Sequence, residues 1–238
     1  MRIRLPLGRS LFFLCALLFV LVALFPLRLG LDGLSLDERG FAAREAKGSV
    51  WFGTLSEAQL GSVELGDLQA RLRTLPLFVG RARMDLERGG EADPFHASLT
   101  VSRHGFGVDD ATGIIDVGTA FAPLPIASLE LADVTVRFAD GQCASAEGLV
   151  KATVAGDVAG LSLPAGLSGN VRCDEGALLL PLASQSGMET LDIRLFDDGR
   201  YEVELAVSPA DDQMRDRLIA SGFSLTGSGY ALSIAGEF

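Results

Sequence analysis

One stretch constrains this chain more than any other: residues 11–25 read LFFLCALLFVLVALF and contain no charged residue. A helix needs about 20 predominantly apolar residues to cross a bilayer. Because Leu27 extends the apolar character past Pro26, the sequence predicts a transmembrane helix over residues 11–27. The residues predicted to anchor it in lipid are Leu11, Phe12, Phe13, Leu14, Leu17, Leu18, Phe19, Leu21, Leu24 and Phe25.

A cleaved signal peptide is the competing interpretation of this stretch. Such a peptide ends in a site with small residues at alternate positions. Here the apolar run continues as PLRLGLDGLSLDERG, which is bulky where a peptidase needs small residues. Retention as a membrane anchor is therefore favoured.

The charges beside the run predict its orientation. Arg2, Arg4 and Arg9 precede it without any acidic residue, whereas Arg28 on the other side is followed by Asp32. Positive residues remain on the cytoplasmic side of a membrane helix. The sequence thus predicts a cytoplasmic N-terminus at 1–10 and an exported β-rich domain at 28–238.

The exported part is strongly acidic. Four of the 20 basic residues precede Gly30, which leaves 16 basic against 31 acidic residues, a net charge of −15. Nucleic-acid binding requires Lys and Arg to neutralise phosphates. This charge therefore excludes nucleic acid as a partner.

Cysteine usage agrees with export. Cys15 lies in the apolar run, and Cys143 and Cys173 are the two others. An even pair in an oxidising compartment predicts a disulfide. Two buried thiols are the alternative.

Alternating apolar and polar residues predict an all-β exported domain. Residues 191–207 give two such runs around Asp197, Asp198 and Gly199, the signature of an antiparallel hairpin. The same alternation predicts strands at 63–73, 80–86, 95–102, 129–138, 149–154 and 230–234.

A helix, a connecting segment and a turn are predicted between these strands. A short C-terminal helix is predicted between the N-cap Ser208 and the stop Gly222, with Met214, Leu218 and Ile219 on one face. Two prolines within 119–128 favour a connection between two halves of the sheet, and 76–80 favours a turn.

No catalytic, cofactor-binding or metal-binding residues are predicted. His96 and His104 are eight residues apart without a neighbouring cysteine, which matches no zinc spacing. The paired carboxylates 109–110, 197–198 and 211–212 are explained by a turn, a hairpin tip and a helix start. The sequence contains no nucleophile elbow and no phosphate-binding loop. The chain is therefore predicted not to be an enzyme.

Several segments resemble the protein N family of the bacterial type II secretion system, also called general secretory pathway protein N. The likeness includes the short anchor, the segment AKGSVWFGTLSEAQLGSVELGDLQARLRTLPLFVGRARMDL at 46–86, SLELADVTVRF at 128–138 and the stretch 176–205. The motif positions are Gly48, Trp51 and Gly53, then Gly66, Asp67 and Leu68, then Leu75, Pro76 and Leu77.

The resemblance implies an inner-membrane accessory component of Gram-negative bacteria with a periplasmic domain built as one curved, mostly antiparallel sheet. It implies Trp51 as a packing anchor beside glycines and Cys143–Cys173 as a bridge. The implied partners are other inner-membrane secretion subunits and the lipid bilayer. The family is also similar to proteins of the AsmA type, whose curved sheets form an apolar groove. The alternative function is accordingly a lipid-handling module.

Overall fold

A computed structural model gives the structure of the chain, and it describes residues 7–33, 40–89, 94–124, 126–154, 157–158, 161–162, 166–208, 212–227 and 229–237. The helices are α1 (Leu7–Ala23), α2 (Leu27–Gly33), α3 (Thr74–Leu77) and α4 (Asp212–Ala220). The strands are β1 (Phe41–Ser49), β2 (Phe52–Leu60), β3 (Val63–Arg73), β4 (Ala82–Arg88), β5 (Phe95–Ser102), β6 (Gly105–Asp116), β7 (Ile126–Ala139), β8 (Gln142–Val154), β9 (Asp157–Val158), β10 (Leu161–Ser162), β11 (Gly166–Asn170), β12 (Arg172–Asp174), β13 (Ala177–Ala183), β14 (Glu189–Leu195), β15 (Arg200–Val207), β16 (Ser224–Thr226) and β17 (Gly229–Glu237).

The predicted mainly β fold is confirmed. Fifteen strands form one antiparallel sheet that follows chain order from β1 to β8 and continues through β11, β13, β14, β15 and β17 to β16, with β12 beside β13. The remaining strands, β9 and β10, form a separate two-stranded pair. The predicted strands 63–73 and 95–102 coincide with β3 and β5, and the predicted hairpin is β14 with β15.

The helix predicted over residues 11–27 has different bounds in the structure. It does not run over 11–27, because α1 ends at Ala23 and α2 begins at Leu27. Pro26 lies between them and cannot donate a hydrogen bond to a preceding helical carbonyl. The carbonyl of Phe25 instead accepts a hydrogen bond from the backbone N–H of Val50, at 2.9 Å. Among the described residues, no helix is both long enough and apolar enough to cross a membrane.

The sheet curls until strands three positions apart meet. β3 and β6 are longer than the strands between them, and Glu64 of β3 pairs directly with Asp116 of β6. Arg88 at the end of β4 donates to the carbonyls of Leu65 and Ile114, at 3.0 and 2.7 Å, and so links the two strands. Successive side chains of a strand point to opposite faces of the sheet, so alternate side chains lie on the inner face of this curl.

The inward side chains form a single apolar core. Its fully buried members extend from one end of the sheet to the other and include Leu55, Leu68, Val150, Leu182, Leu191, Ile193 and Leu205. Leu218 of α4 is buried as well, whereas Ile219 is 55% exposed, so these two residues of the predicted stripe do not share a buried face. Pro209, which follows the predicted N-cap Ser208, and the side chain of Met214 lie outside the described part of the chain.

The segment predicted to connect two halves is packed into this core. Ala120, Phe121 and Leu124 are buried, and Ala120 accepts a 2.8 Å hydrogen bond from the hydroxyl of Tyr201. The Phe121 and Tyr201 rings meet edge to face at 5.4 Å. The sheet continues across the segment, because β6 and β7 pair directly.

The predicted disulfide is confirmed, with Cys143 of β8 bonded to Cys173 of β12 and their Cα atoms 5.5 Å apart. Cys15 is a free, exposed cysteine in α1. The bond joins β8 to a short strand that is not its ladder neighbour, and the backbone N–H of Cys143 donates to Gly176, at 2.7 Å. It thus fastens β12 to the middle of the sheet.

Removing this disulfide should destabilise the domain. The two cysteines are 30 residues apart in sequence, a separation for which loop closure contributes about 3 to 4 kcal/mol. The variant Cys143→Ser/Cys173→Ser should therefore lose that much free energy of unfolding in urea titrations. Cys15→Ser is the matched control and should unfold like the parent; equal stability of all three proteins would contradict the prediction.

Candidate functional site

The feature that organises the N-terminal part of the chain is the junction of α1, α2 and the β1–β2 turn. We call residues 22–30 and 48–53 the helix-docking corner. The indole N–H of Trp51 donates to the carbonyl of Val22 at the end of α1, at 2.8 Å. Pro26 forms a bridge with Ser49, and the Val50 N–H binds Phe25. Polar contacts therefore join the helix end to the sheet.

Two glycines of the predicted motif lie where α2 meets the strands. Leu27 is fully buried, and a Cβ on Gly53 would lie 2.5 Å from its Cδ2 atom. Gly48 has φ +90°, and a Cβ there would lie 2.5 Å from the Phe52 carbonyl oxygen. Glycine therefore permits the close approach at both positions. Trp51 is half-buried beside them.

The Gly66–Asp67 step lies at an irregularity between β2 and β3. The ladder shifts register between Leu55 and Ala58, and Gly66 has φ +74°. The Oδ1 atom of Asp67 accepts a hydrogen bond from the backbone N–H of Glu57, at 2.9 Å. That contact satisfies a strand N–H at the bulge.

The predicted turn at 76–80 is an ordered loop that begins with α3. The carbonyl of Pro76 accepts hydrogen bonds from Val79 and Arg81, at 3.1 and 3.0 Å. Trp51 and Phe52 line an open depression together with Leu72, Thr74 and Leu75. The loop therefore lies next to the helix-docking corner.

The predicted anchor residues of α1 are exposed, with Phe12 at 69% and Phe19 at 74%, and so is Leu24 just after the helix, at 70%. Of the predicted orientation residues, Arg2 and Arg4 lie outside the described residues. Arg9 belongs to α1, but its side chain is likewise outside the described part.

An ion network on the outer face of the sheet was missed by sequence reasoning. Asp85 and Asp109 are buried on neighbouring ladders, although that face is turned away from the core. Arg73 Nε donates to Asp85 at 2.6 Å, and Arg137 Nη2 donates to Asp109 at 3.0 Å. Arg83 lies 3.8 Å from an oxygen of each carboxylate.

The network fixes the charge of Asp85. Burial raises the pKa of this carboxyl group, but hydrogen bonds from Ser98 and Arg73 and the charges of Arg73 and Arg83 outweigh burial, so the pKa is lowered from 3.8. The Ser98 hydroxyl donates at 2.7 Å and is itself buried. Both carboxylates are thus occupied as hydrogen-bond acceptors, which suits a structural link better than acid–base chemistry.

The other residues that could serve as catalytic groups or metal ligands do not form a cluster. His96 Nδ1 lies 3.9 Å from a carboxylate oxygen of Glu87, and His104 Nδ1 lies 3.9 Å from one of Asp140. The Asp198 carboxylate accepts from Arg200 within its hairpin, at 2.7 Å. Asp211 lies outside the described residues. Across the described ranges, no group of three His, Cys, Asp or Glu side chains is placed to hold a metal ion.

Comparison with known proteins decides the family. The model of the family described as type II secretion system (T2SS), protein N, matches residues 39–233. The chain belongs to this family. The match begins just before β1 and ends within β17, so it covers nearly the whole sheet, the helix-docking strands and the outer-face network.

This result confirms the resemblance inferred from the sequence and makes the chain a member of a secretion-system family. No match was found among curated proteins or among solved structures.

Substitution of Gly53 tests the helix-docking corner. In Gly53→Ala the new methyl group meets Leu27 and two backbone oxygens at 3.0 Å, from Lys47 and Ser49. Such overpacking costs about 1 to 3 kcal/mol. The loss can be measured by urea unfolding followed through Trp51, the only tryptophan.

The control for this variant is Gly227→Ala, because a Cβ there meets nothing within 4 Å. We expect it to unfold like the parent. A Gly53→Ala protein as stable as Gly227→Ala would contradict the close approach of α2 to the sheet.

The network predicts acid sensitivity. Because the folded-state pKa of Asp85 is lowered from 3.8, its stabilising contribution is fully present above that value and is lost as pH falls through the folded-state pKa. Asp85→Asn should lose about 1 to 3 kcal/mol at neutral pH and show a weaker decline in stability on acidification. Chemical denaturation at several pH values measures both effects.

Glu130→Gln is the matched control, because Glu130 makes an exposed pair with Lys151 at 3.4 Å. Exposed pairs contribute little, so this variant should follow the parent's pH profile. An Asp85→Asn profile parallel to the parent's would show that the network does not control acid stability.

Proposed function

We propose that the chain is a non-enzymatic assembly component of the type II secretion machinery. In this proposal the apolar segment containing α1 holds it at the inner membrane, with the N-terminus cytoplasmic and the β domain in the periplasm. The observation that carries the proposal is the family match over residues 39–233.

Membrane attachment is supported by the surface of α1. Its apolar side chains are exposed on all sides, and a helix that is apolar all round needs a lipid or protein environment. Trp51 lies at the end of this helix, where aromatic side chains of membrane proteins concentrate at the membrane–water interface. The Cys143–Cys173 disulfide supports an oxidising compartment for the domain.

A scaffolding role is supported by the hydrogen bonds and ion pairs of the buried acidic groups. Within the described part of the chain, the buried carboxylates Asp85 and Asp109 pair with arginines and accept hydrogen bonds from hydroxyl groups. The curled sheet also fills its inner face with its own side chains, among them Leu182, Leu191 and Ile193. That packing gives the lipid-handling alternative less support than assembly.

We further propose that the free edge of β17 binds an extended segment of another inner-membrane secretion subunit. Among the described strands, β17 pairs with β15 along its length, and on its other side β16 pairs only with Gly229, Tyr230 and Ala231. Between Leu232 and Gly236 no residue is charged. Such an edge can accept a partner strand through main-chain hydrogen bonds.

The opposite edge of the sheet is protected. β1 carries Arg44, Glu45 and Lys47, and charged side chains on an edge strand discourage strand addition. Gly48, with its positive φ, interrupts the regular strand geometry near its end. β17 is therefore the better partner edge.

Site-specific photocrosslinking in cells tests this function. A photoreactive residue at Ala235 should form an adduct with another secretion subunit, and the same subunit should co-purify from the inner-membrane fraction in mild detergent. Recovery of the protein alone, without adducts, would contradict an assembly role.

A photoreactive residue at Ala42 on β1 is the control and should give no such adduct. Equal adducts from Ala42 and Ala235 would contradict the choice of edge. The co-purification result distinguishes that outcome from a failure of the assembly role itself.

A further inference from the structure

Four large apolar side chains project from the sheet beside the helix-docking corner. Phe52 is 72% exposed at the start of β2, and Leu75, Phe78 and Val79 are 80%, 86% and 73% exposed in the loop between β3 and β4. We call these four residues the apolar tip. Elsewhere in the described β domain, highly exposed large apolar residues such as Leu225 stand apart from these four in sequence.

The loop that carries the tip satisfies its own backbone. Phe78, Val79 and Gly80 donate their N–H groups to carbonyls three residues earlier, at 3.3, 3.1 and 3.1 Å, and Arg81 donates to Pro76 at 3.0 Å. Backbone groups that leave water need internal partners. This loop can therefore enter an apolar environment without exposing unpaired N–H groups at these four positions.

Short contacts fix the tip beside the end of α1. The Leu72 N–H donates to Val50, and the Val50 N–H donates to Phe25, both at 2.9 Å. Two hydrogen bonds through Val50 thus connect the end of β3 to Phe25, just after α1. Phe52 and Leu75 of the tip also line the same depression as Trp51, whose indole N–H binds Val22 at the end of α1.

Basic residues flank the tip in sequence, and two of them, Arg73 and Arg83, belong to the outer-face network. Between Asp67 and Asp85 the sequence contains four arginines, Arg71, Arg73, Arg81 and Arg83, and no acidic residue. Within the described residues, Arg71 and Arg81 form no ion pair, while Arg71 lies over the Phe52 ring at 5.8 Å. A basic, aromatic and apolar surface suits an anionic lipid headgroup layer.

We propose that the apolar tip docks the β domain on the bilayer surface. Phe52, Leu75, Phe78 and Val79 enter the boundary between headgroups and acyl chains, and Arg71 and Arg81 bind the phosphates of anionic lipids. This inference rests on the proposed membrane attachment through α1. It adds a second contact that fixes how the sheet is held relative to the membrane.

Fluorescence quenching of the full chain in vesicles tests the docking. In a Cys15→Ser background, a polarity-sensitive fluorophore is attached to Phe78→Cys and quenched by lipids carrying a nitroxide on the acyl chain. We expect a blue-shifted, quenched signal in vesicles of phosphatidylcholine with phosphatidylglycerol. The matched control Leu225→Cys, 74% exposed on β16, should remain unquenched.

The arginines are tested in the same vesicles. The Phe78 signal should be weaker in phosphatidylcholine alone, and Arg71→Gln/Arg81→Gln should remove the difference between the two lipid compositions. Each basic residue near an anionic surface changes the ratio of docked to undocked protein by about fivefold. Quenching that changes neither with lipid charge nor with the arginine substitutions would overturn the proposal that Arg71 and Arg81 bind anionic headgroups.

A label at Phe12→Cys separates this inference from the proposed attachment through α1. Quenching at residue 12 without quenching at residue 78 would keep the anchor and overturn docking by the tip. Absence of quenching at both positions would overturn both. A blue shift at residue 78 that requires another secretion subunit and occurs without lipid quenching would assign the tip to a protein partner instead.

Discussion

Among the described elements, no second sheet packs on the apolar face of the main sheet. This constraint explains why the main sheet curls. A single antiparallel sheet with one apolar face can shield that face only by curling or by covering it. The chain curls until Glu64 of β3 pairs with Asp116 of β6, and it adds the buried residues Ala120, Phe121 and Leu124 as a partial filling. Glycines and bulges along β6 permit the bend, because a bulge increases local twist.

The curl also explains where polar groups collect. On the outer face, Asp85 and Asp109 would face water, yet long arginine side chains from β3, β4 and β7 lie across them and bury their carboxylates. At the corner where the sheet meets α1, the Trp51 indole and the Val50 N–H bind the carbonyls of Val22 and Phe25, which precede Pro26. Both arrangements use charge or hydrogen bonding to link elements that are not consecutive in the chain.

The sequence predicted regular strands well and irregular ones poorly. β5 alternates cleanly and its bounds were predicted correctly, as were those of β3, whose alternation changes phase only once, at Gly66–Asp67. By contrast, β6 contains Gly105, Gly107 and Gly113 and shifts register around Ala111. The glycines break the two-residue period that identifies a strand. The first part of β8 was missed for a related reason, since its residues 142–148 are small or polar apart from Cys143. The helix bounds failed at Pro26, whose effect on a helix outweighs the hydropathy of its neighbours.

Local composition by itself determined the apolar N-terminal segment, the acidic balance of the domain, the β class and the presence of one cysteine pair outside that segment. These properties depend on residues close in sequence or on simple totals, so no knowledge of strand pairing is needed. Only the tertiary structure decided that Arg73, Arg83 and Arg137 meet Asp85 and Asp109, and that Tyr201 reaches Ala120, 81 residues away. Those contacts depend on the register of several successive strands and on the curl of the whole sheet, and a shift of one residue in any ladder would turn each side chain to the opposite face.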